Sequence, residues 1–152
     1  MALSKRRRSC IILLFGALLM KALFVTIGLV VALLGGQYTL IISKKSGLSS
    51  LSTQQVKDLF LQKRHFIGSQ RVIPLNLVGQ HESRTLFESS VLGMDRDRLN
   101  NYWVKQHFEG ISPPLTQGSF ESIKAFVQTV EGSLGYVPSS MVDSNVKAVY
   151  EF

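Results

Sequence analysis

Apolar residues run almost unbroken from Cys10 to Gly36, with Lys21 the only charge among them, and after that the pattern changes. Beyond Gly36 short apolar runs alternate with polar turns. Tyr38 to Ser43, β-branched and aromatic, predicts a strand. Ser52 is placed to cap a helix that continues to about Lys63, with Val56, Leu59 and Phe60 on one face at helical spacing. Gly68 to Gln70 predicts a turn and Arg71 to Leu77 a second strand. Pro74 has no amide donor, so an edge position or a kink is expected there. A helix over about Ser83 to Leu92 would bury Leu86, Phe87, Ser90 and Val91 and stop at Gly93. A further helix from about Arg96 to Phe108 would bury Leu99, Tyr102 and Trp103. Glu109 to Gly118, with Pro113 and Pro114, predicts a loop. Helix Phe120 to Val130 aligns Ile123, Phe126, Val127 and Val130, a glycine turn leads to the strand Tyr136–Val137, and Val146 to Tyr150 forms a last strand. Leu59, Phe60, Phe87, Trp103, Phe126 and Tyr136 are the expected core. Strands alternating with helices imply an α/β architecture.

The apolar front has two readings. Residues 1–36 combine a basic start, a long apolar stretch and a Gly-Gly end, the grammar of an export signal. Met20 to Gly36 alone has a methionine, one lysine and an apolar run of fitting length, so Met20 is a candidate true start. Cleavage would then fall after Gly36 or after Ala32. The competing reading is an uncleaved membrane anchor, since Cys10 to Gly36 is long enough to span a bilayer core of ~30 Å. In both readings the basic flank stays inside and residues 37–152 face the periplasm or cell exterior.

That front also explains the bulk composition. The 152 residues have room for one ordinary domain, and the mean hydropathy of +0.18 is inflated by the leading segment. The net charge of +7 shrinks likewise. Lys5, Arg6, Arg7, Arg8 and Lys21 precede residue 37, leaving 12 cations against 10 acids, a balance of +2. A near-neutral domain is a poor nucleic-acid binder, because phosphate-backbone affinity needs clustered cations. The one cysteine, Cys10, permits neither an intramolecular disulfide nor a zinc site and does not sit in a lipid-attachment context. The histidines His65, His81 and His107 make no metal spacing, and no G-x-S-x-G elbow exists, so no catalytic function and no cofactor are expected.

Two segments, Leu48 to Arg64 and Ser119 to Pro138, resemble the second lobe of the phosphate-binding proteins that serve bacterial ABC importers. The first matches a family helix that follows a hinge strand, and the second a helix, turn and strand near the lobe's end. Arg71 to Asn76, Phe87, Val91 to Gly93 and Tyr102–Trp103 extend the likeness over about Tyr38 to Phe152. The resemblance implies a single lobe of a type II periplasmic-binding-protein fold, a mixed sheet flanked by helices, after an N-terminal apolar signal or anchor helix. With the leader read above, 1–36 is the signal peptide or membrane anchor and 37–152 the periplasmic-binding-protein-like domain.

In that family a Ser-Gly-Thr opens the helix after the second strand and holds the oxyanion through its amides and hydroxyls, aided by the helix dipole. The resemblance puts Ser83 and Thr85 on the Ser and Thr, with Arg84 in place of the glycine and no arginine in the preceding loop. Ser83, Arg84 and Thr85 are thus the candidate ligand residues. Each also has an ordinary structural reading: Ser83 as a helix cap, Arg84 as a solvated side chain, His81 as an exposed loop residue. Two functions follow. One is a periplasmic module binding phosphate or a similar oxyanion for an ABC transporter. The other is a scaffold that docks on a membrane receptor, transporter or sensor without holding a ligand tightly. A homodimer would restore the second wall that a lone lobe lacks.

Overall fold

The computed structural model describes residues 37–152, and the leader readings lie outside the described residues. Strand β1 (Tyr38–Ser43) is followed by helix α1 (Thr53–Phe60) and a small hairpin of β2 (Phe66–Ile67) and β3 (Gln70–Arg71). Next come β4 (Ile73–Leu77), α2 (Glu82–Phe87), a π-helical turn over Glu88–Leu92, and α3 (Arg96–Phe108). The chain closes with β5 (Leu115–Gln117), α4 (Phe120–Thr129), β6 (Ser133–Pro138), a 3-10 turn and β7 (Val146–Glu151).

Five strands make one mixed sheet in the order β5-β4-β6-β1-β7. Strand β4 runs parallel to β5 and β6, whereas β1 is antiparallel to β6 and β7. Parallel neighbours need crossovers. Helices α2 and α3 make the one from β4 to β5, and α4 makes the one from β5 to β6. The mixed sheet with helices is the expected fold class.

Side-chain alternation along β6 sorts the helices onto two faces. Gly135 faces α4: a Cβ built there would lie 2.4 Å from Ile123 Cγ2, so the helix sits too close for any side chain. The next residue, Tyr136, faces the other way and is fully buried. Its ring stacks on Phe87 at 4.8 Å and lies 6.4 Å from Phe60, which brings α1 and α2 to that second face. A hydrogen bond of 2.6 Å from the Tyr136 hydroxyl to Asn76 Oδ1 satisfies both polar groups inside the core. Burial raises the pKa of that phenol, so it stays a neutral donor.

Several local expectations are found in place. Ser52 caps α1 in a complete capping box with Gln55, Gly93 closes the π turn in the left-handed conformation, and β1 and α3 have the expected bounds. Others need correcting. The segment Arg71 to Leu77 is not one strand, because Arg71 pairs with Phe66 in the hairpin and β4 starts at Ile73. Strand β4 is internal, yet Pro74 is tolerated because pairing with β5 begins only at Leu75. Leu115 to Gln117 is a short strand inside the expected loop.

Helix faces shift as well. Leu86 and Ser90 are exposed, because the segment does not stay α-helical. Ser89 and Ser90 both donate to the Leu86 carbonyl, at 3.1 and 2.6 Å, in competition with the backbone ladder. The wider π turn then directs Glu88, Val91 and Leu92 inward. Trp103 and Phe126 are half-buried at the margin of the core, and Leu99 is the residue that α3 buries fully.

Candidate functional site

The carboxyl end of β4 delivers the chain to the place where the candidate residues gather. Val78 donates its amide to the Gln117 carbonyl at 3.0 Å, which ties the loop after β4 to the end of β5. Three residues later His81 turns the chain into α2. His81, and not Ser83, is the N-cap: its ring Nδ1 accepts from the Ser83 amide at 3.4 Å and lies 2.7 Å from the Ser83 hydroxyl. Ser83 is therefore inside the first turn and only 1 % exposed. Its hydroxyl is engaged within the protein.

The His81 ring also meets Phe120 edge-on at 4.9 Å. Phe120 is the first residue of α4, which Ser119 caps. Two helix N-termini, each following a parallel strand, thus lie side by side at the carboxyl end of β4 and β5. In open α/β sheets this end is where ligands bind, and helix N-termini favour negative charge. Each also carries an acid in its first turn, Glu82 on α2 and Glu121 on α4, which tempers that preference.

Arg84 does not point to solvent. Its Nε donates to Glu88 Oε1 at 2.7 Å, and Nη1 donates to the Leu77 carbonyl at the end of β4, also at 2.7 Å. Its side chain is 15 % exposed, and that of Glu88 only 2 %. The reading of Arg84 as a solvated side chain is thus corrected: a buried carboxylate one helical turn away holds it.

Thr85 is exposed, and the cation beside it comes from elsewhere. Arg96, in the first turn of α3, places Nη2 at 3.4 Å from Thr85 Oγ1 and at 3.2 Å from Glu88 Oε2. Its Nη1 lies against the loop after β4, where a Cβ at Gly79 would come within 3.3 Å. The site thus holds Ser83, Arg84 and Thr85 on α2, with Glu88 and Arg96 added. The Arg84–Glu88 spacing was visible in sequence as an i,i+4 pair. The approach of Arg96 was not, since it depends on how α3 returns over the loop. Among the described residues no three His, Cys, Asp or Glu side chains lie close enough to hold a metal ion.

No family model matches this sequence, and no curated protein is similar to it. Solved structures are similar in fold. One is a protein from Clostridium perfringens described as a phosphate ABC transporter substrate-binding protein, solved with bound phosphate. It has a TM-score of 0.61 and 22% identity, over 76% of this chain and 44% of that one. Another is an ABC-type phosphate transport receptor from Vibrio cholerae, with a TM-score of 0.60 and 16% identity, over 76% of this chain and 45% of that one. The chain spans less than half the length of these proteins, and at such identity the likeness is one of fold.

Proposed function

We propose that residues 37–152 form a phosphate-binding-protein-like module that receives phosphate or a similar oxyanion at the carboxyl end of β4. The observation that carries this reading is the Arg96 guanidinium resting on the exposed Thr85 hydroxyl, beside two helix N-termini. In this reading Thr85 donates to the ligand, Arg96 supplies charge from the flank, and Arg84 and Ser83 hold the helix start in shape. Export to the periplasm and hand-over to a membrane transporter belong to the same reading. The likeness to solved phosphate receptors supports it at the level of fold.

The scaffold reading has its own observation. Glu88 accepts from both arginines, so each guanidinium is already engaged within the protein and one of the two positive charges is neutralised. Calorimetry with phosphate, sulfate and molybdate separates the two. A ligand at 100 times its dissociation constant stabilises the native state by about 2.7 kcal/mol, a clear rise in melting temperature. The ligand reading expects that rise with at least one of the three anions and its several-fold weakening in Thr85→Ala. Thr85 is exposed, so this variant should keep its unliganded stability within about 0.5 kcal/mol. No heat and no thermal shift with any of the three at millimolar concentration would reject the ligand reading for the chain alone.

A further inference from the structure

The opposite end of the same strands has a separate character. Where β5 begins, two hollows adjoin at Pro113. One, of about 370 Å³, is lined by His65, Arg71 and Ser112 together with Leu115. The other, of about 460 Å³, is apolar and lies between Trp103, Val104 and Phe108 on α3. Phe108 is 85 % exposed. Of the six large apolar side chains exposed among the described residues, Val104, Phe108 and Leu115 line these hollows, and Phe66 pairs with Arg71 in the adjacent hairpin. A concentration of this kind marks an interaction surface.

Charge and backbone narrow the partner. Lys63 and Arg64 precede His65, and neither they nor Arg71 forms an ion pair among the described residues. No acidic residue lines either hollow. Strand β5 lies at the edge of the sheet, with β4 on one side and, among the described residues, no strand on the other. An open strand edge next to one polar, cationic hollow and one mainly apolar hollow suits an extended peptide, which pairs its backbone with the edge and seats side chains in the hollows.

We propose that this surface docks an extended polypeptide segment of a partner protein that presents carboxylates next to a bulky apolar residue. The carboxylates meet Arg71 and its neighbours, the apolar residue enters the hollow between Trp103 and Phe108, and the segment's backbone adds to β5. The surface lies at the other end of β4 from Thr85, so it operates independently of oxyanion binding.

The test is selection of a random-peptide display library on the chain as cells produce it. The expected result is enrichment of sequences with Asp or Glu beside aromatic or large aliphatic residues. A synthetic copy of an enriched peptide should lose at least about tenfold in affinity on Arg71→Glu and on Phe108→Ser, one decade being about 1.4 kcal/mol. Both positions are exposed, and unchanged melting temperatures would show the variants folded. Thr85→Ala should bind the peptide as the wild type does, and N-methylation of the peptide backbone should abolish binding. The proposal is overturned if nothing is enriched over a blank surface, if enriched peptides lack acids, or if they bind the variants equally. It is also overturned if Phe108→Ser instead removes binding to phosphatidylglycerol vesicles or dissolves a dimer of this chain, since the surface would then serve lipid or self-association.

Discussion

Replacing Arg84 by alanine tests whether the cluster around Glu88 holds the domain together. In the folded protein the Glu88 side chain is 2 % exposed and accepts from Arg84 at 2.7 Å and from Arg96 at 3.2 Å. Removing one partner of a buried ion pair costs about 3–5 kcal/mol, because the orphaned charge stays desolvated. Two features adjust this figure. Arg96 remains in place but is 38 % exposed, so its compensation is screened and partial. The Leu77 carbonyl also loses the donor that now reaches it at 2.7 Å. The balance is a loss of about 2–4 kcal/mol at neutral pH. With a urea slope of about 2 kcal/mol per molar for a domain of this size, the midpoint should fall by about 1–2 M at unchanged slope.

Urea denaturation followed by tryptophan fluorescence reads the change, since Trp103 is the one tryptophan. Arg98→Ala is the control: Arg98 pairs with Asp95 at 3.7 Å on the open surface and should cost no more than about 0.5 kcal/mol. The double variant Arg84→Ala/Glu88→Gln should recover part of the loss, because it removes the stranded charge. An Arg84→Ala loss as small as that of Arg98→Ala would refute the buried-pair argument. It would mean that Glu88 reaches water in solution.

Gly135→Ala should destabilise the protein by about 1–3 kcal/mol, since the added methyl would collide with Ile123 on α4 and force helix and sheet apart; thermal denaturation gives the value. Asp143 should titrate below the usual carboxylate range, because the Lys124 ammonium donates to it at 2.8 Å and the Asn145 amide adds a second hydrogen bond. Its depressed folded-state pKa means that its contribution is present above the unfolded value and is lost as pH falls through the folded one. Carbon-detected NMR titration should show the midpoint moving up in Lys124→Met.

The elements that were legible in the sequence are those whose signals are local. Ser52 caps α1 through the Gln55 amide, and the β-branched run from Tyr38 states its own strand. Elements that depend on distant partners were not legible. Strand β5 is three residues long and exists because β4 supplies its hydrogen bonds. The cap of α2 was placed two residues late, since histidine is an uncommon cap and Ser83 has the usual chemistry. The burial of Arg84 was hidden for the same kind of reason. An arginine in the first turn of a short helix reads as solvated until its carboxylate partner is known to be inside the core.

The cluster also limits how an oxyanion could be held. Arg84 and Arg96 bring two positive charges, Glu88 removes one, and the exposed Glu82 lies at the start of the same helix. An anion arriving at Thr85 therefore gains from at most one net charge, on a surface where solvent screens it. Ligand pockets that bind tightly enclose most of the ligand, and this site offers one wall. Tighter binding would need either a second wall or release of Arg96 from Glu88 toward the ligand. The second route has a structural consequence, because Glu88 would then rely on Arg84 alone. Oxyanion binding and the stability of the helix start would compete for the same guanidinium, so ligand affinity should fall further in Arg84→Ala than loss of a remote charge would explain.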